Sequence, residues 1–468
     1  MTKFLQKIIN FLFFFFVCYV SFSQELPPIN IFTTEEYSAD NQNWAISQSD
    51  NGYMYVANNL GLLEFNGASW QLYQTPNNTI MRSVKAYKDK IFTGFYMDFG
   101  FWEKNKYGVL EYFSVVKDKQ IKMLEDEQIW KIIELEGWFL FKSLQRIYLY
   151  NLETNEIKII NGENKIHALT KAKDIIYFQE DNKGIFKIEN GSPILISDAP
   201  VFKENIIVDF FEKENALLVL TQKKGFYLLN DGKATKWKMP SNVLEDKTIF
   251  SAIKLKNNNF LLGSISKGIL HLNENGSVNY QMDKNSGLSN NTILSVYEDK
   301  NNNIWLGLDN GINCVNNTSV FKKGNEESDY LGTIYTSIVY DEYLYLGTNQ
   351  GLFYRNIKSK DGFQFIKNTR GQVWSLTQID GTLFCGHDSG TFWIKKNQAK
   401  QIFDKQGTWN LKRINDSTIL QGCYDGLYVL EKKNQTWVLK NKIRGFENSS
   451  KDVVLWNNKI FVNHESYF

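Results

Sequence analysis

The feature that most constrains this chain is that it repeats itself. The clearest unit, residues 287–317 (GLSNNTILSVYEDKNNNIWLGLDNGINCVNN), reads as a strand ILSVYE, a polar turn DKNNN, a strand IWLGL, a short turn DN and a strand GINCV. Apolar residues alternate and turn residues punctuate, as antiparallel hairpins require. The glycine that opens the third strand recurs at Gly61, Gly100, Gly184, Gly225, Gly268, Gly311, Gly351, Gly390 and Gly426. Arg146 and Ser466 hold the same place in two degenerate units, which gives eleven anchors spaced by about 40 residues. A tight hairpin turn that needs positive φ favours glycine there. Such a period, with three or four short strands per unit, predicts an all-β chain folded as a β-propeller of four-stranded blades, and the alternation excludes helical repeats of similar length.

A fourth strand is visible as SWQLYQ after Gly67, TKWKMP after Gly232 and VNYQMD after Gly276. Residues 29–37 (INIFTTEEY) resemble such a fourth strand without its first three. That predicts closure, in which the first strand in the chain completes the last blade and removes an open sheet edge. The seven anchors from Gly61 to Gly311 make a seven-bladed ring over 24–318, and the rest, 319–468, holds about four repeats of an incomplete second propeller. One large open ring is the alternative partition. Because Phe468 falls inside a third strand, the sequence is expected to be a fragment of a longer chain.

Composition agrees with many short strands: aromatic residues make up 15% of the 468, and prolines number only 6. The formal net charge is +2, too balanced for a nucleic-acid arm, so no nucleic-acid contact is expected. Residues 1–23 have Lys3 and Lys7, an apolar run INFLFFFFVCYV and a small-residue end Ser21-Phe22-Ser23, the pattern of a cleaved secretory signal peptide. The apolar run is shorter than the roughly 20 residues that span a bilayer. The expected location is periplasmic, with membrane attachment only through a missing C-terminal part.

The unit ILSVYEDKNNNIWLGLDNGI, preceded by GLSNN, resembles the two-component-regulator propeller repeat of exported sensor regions in Bacteroidetes regulators. NQNWAISQSDNGYMYVANNLGLLEFNGASWQLY and TSIVYDEYLYLGTNQGLFY are similar to one branch of that family. In that branch the propellers are followed by a triple-tyrosine domain, a transmembrane helix and a LuxR-type helix-turn-helix; other branches carry a histidine kinase. The resemblance implies a ligand-sensing ectodomain of a signal-transduction or transcription regulator.

Chemistry-bearing motifs are scarce. Cys314, Cys385 and Cys423 form no CxxC, the four histidines are scattered, and no metal site, cofactor or catalytic residue is expected. Cys385 and Cys423 fall on consecutive second strands but are expected to lie too far apart to bridge. DKNNN at Asp299 lacks the glycine and glutamate of a calcium loop and reads as a turn. Trp70, Trp237 and Trp305 sit mid-strand and read as packing. The segment 94–102 (GFYMDFGFW) is two residues longer than its counterparts and carries Asp98; it reads either as a contact loop or as a bulge that re-aims a strand.

One constellation stands out. At the entry of the first strand of the repeats, the aligned residues include Trp44, Arg82, Trp130, His167, Leu294, Thr336, Trp374 and Trp409. The first strand of a blade is innermost, so these residues are expected to ring a channel mouth. Trp44, Arg82, Trp130, His167, Trp374 and Trp409 are the candidate ligand-binding residues, for a small-molecule ligand with carbohydrate as the leading candidate, since indole faces stack on sugar C–H surfaces and Arg and His donate hydrogen bonds. The competing assignment makes the tryptophans plugs between blades. A homodimer is a candidate assembly. The alternatives to a sensor are a secreted propeller-fold carbohydrate-active enzyme and a protein-interaction scaffold.

Overall fold

The computed structural model describes residues 26–463 apart from 215, 241, 323–329, 360–361 and 458. The leader expected over 1–23, the anchor Ser466 and His464 lie outside the described residues. The described chain is β-propeller architecture: ten four-stranded antiparallel sheets and one two-stranded pair. It divides into two compact units, Leu26–Lys323 and Gly324–Phe468.

Each sheet follows the order the repeat predicts. The strands Asn43–Gln48, Met54–Asn58, Gly61–Phe65 and Trp70–Gln74 pair consecutively, and the alternation of the innermost strand sends its side chains toward one neighbouring sheet and then the other. Seven such sheets lie in Leu26–Lys323. Their innermost strands neighbour one another in chain order, from Asn43–Gln48 through Met81–Tyr87, Lys131–Leu135, Ile166–Ala172, Ile207–Lys213 and Ile249–Lys254 to Ile293–Glu298, and the last lies beside the first. The core is therefore cut into slices between sheets. One slice holds Leu261, Ile269, Ile293, Ile304, Leu306 and Leu308, all at most 1% exposed.

The ring closes as the N-terminal segment predicts. Ile29–Phe32 pairs antiparallel with Ile312–Val315, Ile29 opposite Val315 and Phe32 opposite Ile312. The closing sheet thus draws one strand from the start of the unit and three from its end. Phe32 lies parallel to the Trp305 indole at 5.6 Å and meets Trp70 edge-on at 5.4 Å. Asn43 Nδ2 donates to the Gly311 carbonyl at 3.0 Å and Gln42 Nε2 to Asp309 Oδ1 at 2.6 Å, so hydrogen bonds also stitch the first sheet to the last.

The anchor glycines have a second cause beyond the turn. Gly61 has φ +145°, but a Cβ there would also stand 2.2 Å from the Tyr73 carbonyl oxygen of the fourth strand. Gly100 lacks a positive φ, yet its Cβ would meet the Phe113 carbonyl at 2.0 Å. At these two positions close approach of the outer strand, rather than turn conformation alone, keeps a side chain out. The DKNNN turn is organised by the buried Asp299 carboxylate, which accepts from the amides of Asn301 and Asn303, both at 2.8 Å, and from Trp305 Nε1 at 3.0 Å. That is Asx-turn chemistry in which the repeat's own acid holds the repeat's own tryptophan.

The other unit carries three four-stranded sheets, with innermost strands Ile334–Tyr340, Val373–Ile379 and Thr408–Asn415, and the pair Asp452–Trp456 and Lys459–Asn463. Cys314, Cys385 and Cys423 are buried free thiols. Burial pushes Cys314 and Cys423 up to about 12, which keeps them unreactive at neutral pH. The longer segment 94–102 extends a hairpin: Phe95 pairs with Asp98 across Tyr96-Met97, and Tyr96 forms an isolated bridge to Gln128, three residues before the next sheet begins at Lys131. Asp98 is buried and accepts from Ser114 Oγ at 2.7 Å, so it is a packing element and not an exposed contact loop.

Candidate functional site

The inner strands of Leu26–Lys323 surround a cavity of ≈ 570 Å³ to which all seven contribute. Trp44, Arg82, Trp130, His167 and Leu294 line it, as expected of residues at the strand entries. Thr336, Trp374 and Trp409 do not: they belong to the other unit, so the aligned positions form two clusters and not one rim. Alignment fixes the place of a residue within its sheet but not which set of sheets encloses it.

The first cluster is built around a cation. The Arg82 guanidinium carbon lies 4.1 Å from the Trp44 ring centroid and 4.6 Å from that of Trp130, while the two indoles meet edge-to-face at 5.7 Å. Each contact of this kind contributes about 0.5–2 kcal/mol, more as water is excluded. Arg82 Nε donates to Gln128 Oε1 at 2.8 Å, and Trp44 Nε1 donates to Asn59 Oδ1 at 2.8 Å, so both planes are held from behind. The backbone amide of Trp130 donates to the Lys142 carbonyl at 2.7 Å, tying the strand entry to the neighbouring strand. Arg82 Nη1 is buried and finds no hydrogen-bond partner among the described residues. Burial lowers the guanidinium from its ordinary value, yet it stays charged at neutral pH. His167 Nε2 stands 2.8 Å from Asp181 Oδ1, but off the line of a hydrogen bond.

Sequence reasoning did not single out four further lining residues, Lys85, Lys131, Lys142 and Asp209. Lys142 is 5% exposed and donates to the Ile166 carbonyl at 3.0 Å; desolvation first, then the neighbouring Lys131, pushes its ammonium down to about 7. Burial also lowers Lys85, against the opposing pull of Glu134. Asp209 accepts from Thr170 Oγ1 and from the Phe210 amide, and burial raises its carboxyl above the usual range. A signal was present for Lys142: it ends an otherwise apolar second strand, WFLFK, and none of the other four-stranded sheets has a second strand that ends in Lys or Arg.

The second cluster is a chain of four aromatic rings, with Lys451 Nζ 5.4 Å from the Trp409 ring centroid. Trp374 stacks against Tyr335 at 5.0 Å and meets Trp409 at 4.7 Å, and Trp409 meets Tyr424 at 5.0 Å. Trp374 Nε1 donates to Tyr424 Oη at 2.9 Å and Trp409 Nε1 to Ser449 Oγ at 3.1 Å.

Fold and cavity together define a β-propeller with a ligand-sized channel mouth. Residues 287–310 match the family model described as two component regulator propeller, so the expected repeat is present, and the chain is a propeller carrying it. Among solved structures, the extracellular domain of the hybrid two component system BT3049 from B. thetaiotaomicron is similar, with a TM-score of 0.68 at 16% identity over 90% of this chain and 61% of that one. The extracellular domain of the one component system BT4673 from B. thetaiotaomicron gives 0.50 at 15% identity, covering 95% and 65%. The WD40 beta propeller domain of Doa1 gives 0.50 at 10% identity, covering 64% and 98%. At these identities the likeness is one of fold, and the chain spans less than two thirds of the length of the two extracellular domains. The sequence matches no curated protein. Among the described residues, no helix is long and apolar enough to cross a membrane.

Proposed function

We propose that this chain is an exported, periplasmic sensing ectodomain of a signal-transduction regulator, binding a small polar ligand, a carbohydrate before others, at the channel mouth of Leu26–Lys323. The observation that carries the proposal is the Arg82 guanidinium packed against both Trp44 and Trp130 in the lining of a cavity of ≈ 570 Å³. The matching repeat and the fold shared with extracellular domains of regulators support the same reading. A ligand shifts a regulator only through different affinity for two states, here two arrangements of a homodimer.

The reading is one of binding without turnover. Glycoside hydrolysis by the common route needs two carboxyl groups roughly 5–10 Å apart, and among the described lining residues Asp209 is the one carboxylate. Thermal-shift titration of the purified chain with neutral and charged mono- and oligosaccharides, with sugar release assayed in parallel, tests it. A saturable rise in melting temperature without product is expected, since ligand at about 100 times its Kd adds about 2.7 kcal/mol. Alanine at Trp44, Arg82 and Trp130 should abolish the shift. Product release, or a shift that survives all three substitutions, overturns the reading.

A further inference from the structure

Charge is distributed very unevenly between the channel mouth and the rest of the chain. The whole sequence nearly balances, with 53 Lys plus Arg against 51 Asp plus Glu. The cavity lining does not: it carries Arg82, Lys85, Lys131 and Lys142 against Asp209 alone. That one acid is already committed, to Thr170 Oγ1 and the Phe210 amide. The cations keep donors in hand. An ammonium has three hydrogens, and one partner is accounted for at Lys142, the Ile166 carbonyl.

We propose that the channel mouth takes a saccharide bearing an oxyanion, a carboxylate or a sulfate, with the charged group seated against Arg82 and the lysines Lys131 and Lys142 completing its field. This rests on the ligand-binding reading above and names the class of ligand. The Arg82 guanidinium sits in the corner of two indoles set edge-to-face, and a charged donor of this kind bonds a carboxylate or sulfate oxygen more strongly than a neutral one does. The indoles fix its plane before the ligand arrives, so little ordering is left for binding. The saccharide half of the proposal comes from size and surface. A bare sulfate fills a small part of ≈ 570 Å³, whereas Trp44, Trp130, Leu144, Phe250 and Leu294 give the same mouth apolar walls suited to the C–H faces of a sugar ring.

Isothermal titration of the full chain at low salt tests this with digalacturonate and a sulfated chondroitin disaccharide, each beside a neutral disaccharide of the same size, and with sodium acetate and sodium sulfate as free anions. At least one acidic disaccharide should bind ten times or more tighter than its neutral counterpart and than either free anion, and should weaken as salt rises. Arg82→Gln should weaken it about 10–100-fold, the range for a lost charged hydrogen-bond pair. Lys131→Gln, at an exposed position that cannot endanger the fold, should weaken it several-fold, with circular dichroism checking both variants. Neutral and acidic sugars bound equally would overturn the inference and leave the sensing reading standing. No saccharide bound at all would overturn both. Acidic binding untouched by Lys131→Gln and by a folded Arg82→Gln would remove the site, and free anions bound as tightly as the sugars would remove the saccharide.

Discussion

In Leu26–Lys323 the innermost strand Ile293–Glu298 has neighbours on both sides, Ile249–Lys254 and Asn43–Gln48, because the ring is closed. In Gly324–Phe468 the corresponding strand Ile334–Tyr340 packs against Val373–Ile379. The two strands share an alternating pattern, yet Ile293 is fully buried while Ile334 and Val339 are 49% and 58% exposed. Alternation assigns a side chain to a face; only the neighbouring sheet decides whether that face is dry. The aromatic clusters differ in the same way. In the closed ring one guanidinium touches both entry tryptophans, which meet at 5.7 Å, whereas in the other unit the tryptophans meet at 4.7 Å and a lysine reaches Trp409 alone.

The largest expected effect comes from breaking the closure. Trp305→Ala removes the ring on which Phe32 lies and leaves the Asp299 carboxylate one donor short. It should cost about 3–5 kcal/mol, and calorimetry should show the transition of Leu26–Lys323 falling while that of the other unit holds. A single transition moving as one would mean that the two units melt together, and the comparison would fail.

A smaller effect, confined to the channel, follows from Lys142. Its ammonium is pushed down to about 7 in the folded chain against 10.5 when unfolded, so between these values the unfolded state binds more protons. Stability must therefore rise as pH climbs from 7 towards 10, by about 2–4 kcal/mol, and the penalty is fully present below 7. Lys142→Met should be more stable than the parent at pH 6 and should flatten that rise, as urea titrations at pH 6, 8 and 9.5 would reveal. A parent chain with no slope over this window would show that the channel is wetter than the geometry indicates.

The smallest expected effect is in the aromatic cluster of Gly324–Phe468. Trp409→Phe keeps a ring against Trp374 and Tyr424 but loses the donor to Ser449. It should cost about 1 kcal/mol and abolish the coupled indole signal in near-ultraviolet circular dichroism, leaving titrations of the channel unchanged. Any change in channel binding would contradict the separation of the two clusters.

Much of the fold was legible because every sheet but the closing one is local in sequence. Residues 29–37 even announced the closing strand, since Ile29–Phe32 looks like a fourth strand with nothing before it. The site was only partly legible. Trp44, Arg82, Trp130 and His167 were found because they repeat at one position, whereas Lys142 and Asp209 reach the channel from positions that share no motif. The fourth strand after Gly232 was placed late: the strand is Lys233–Lys236, and Trp237 lies just beyond it, against Phe226. Trp374 and Trp409 were assigned the right position in their sheets, but membership of a ring is a property of three dimensions and leaves no local mark.

The pairing of Ile29 with Val315 sets a clock on the making of this molecule. At roughly 5–20 residues per second, the ribosome takes on the order of 15–60 seconds to deliver the partner after the closing strand has been made. During that interval the strand is a hydrophobic ribbon with unpaired amides, open to any other edge it meets. The slower the translation, the longer that strand waits unpaired.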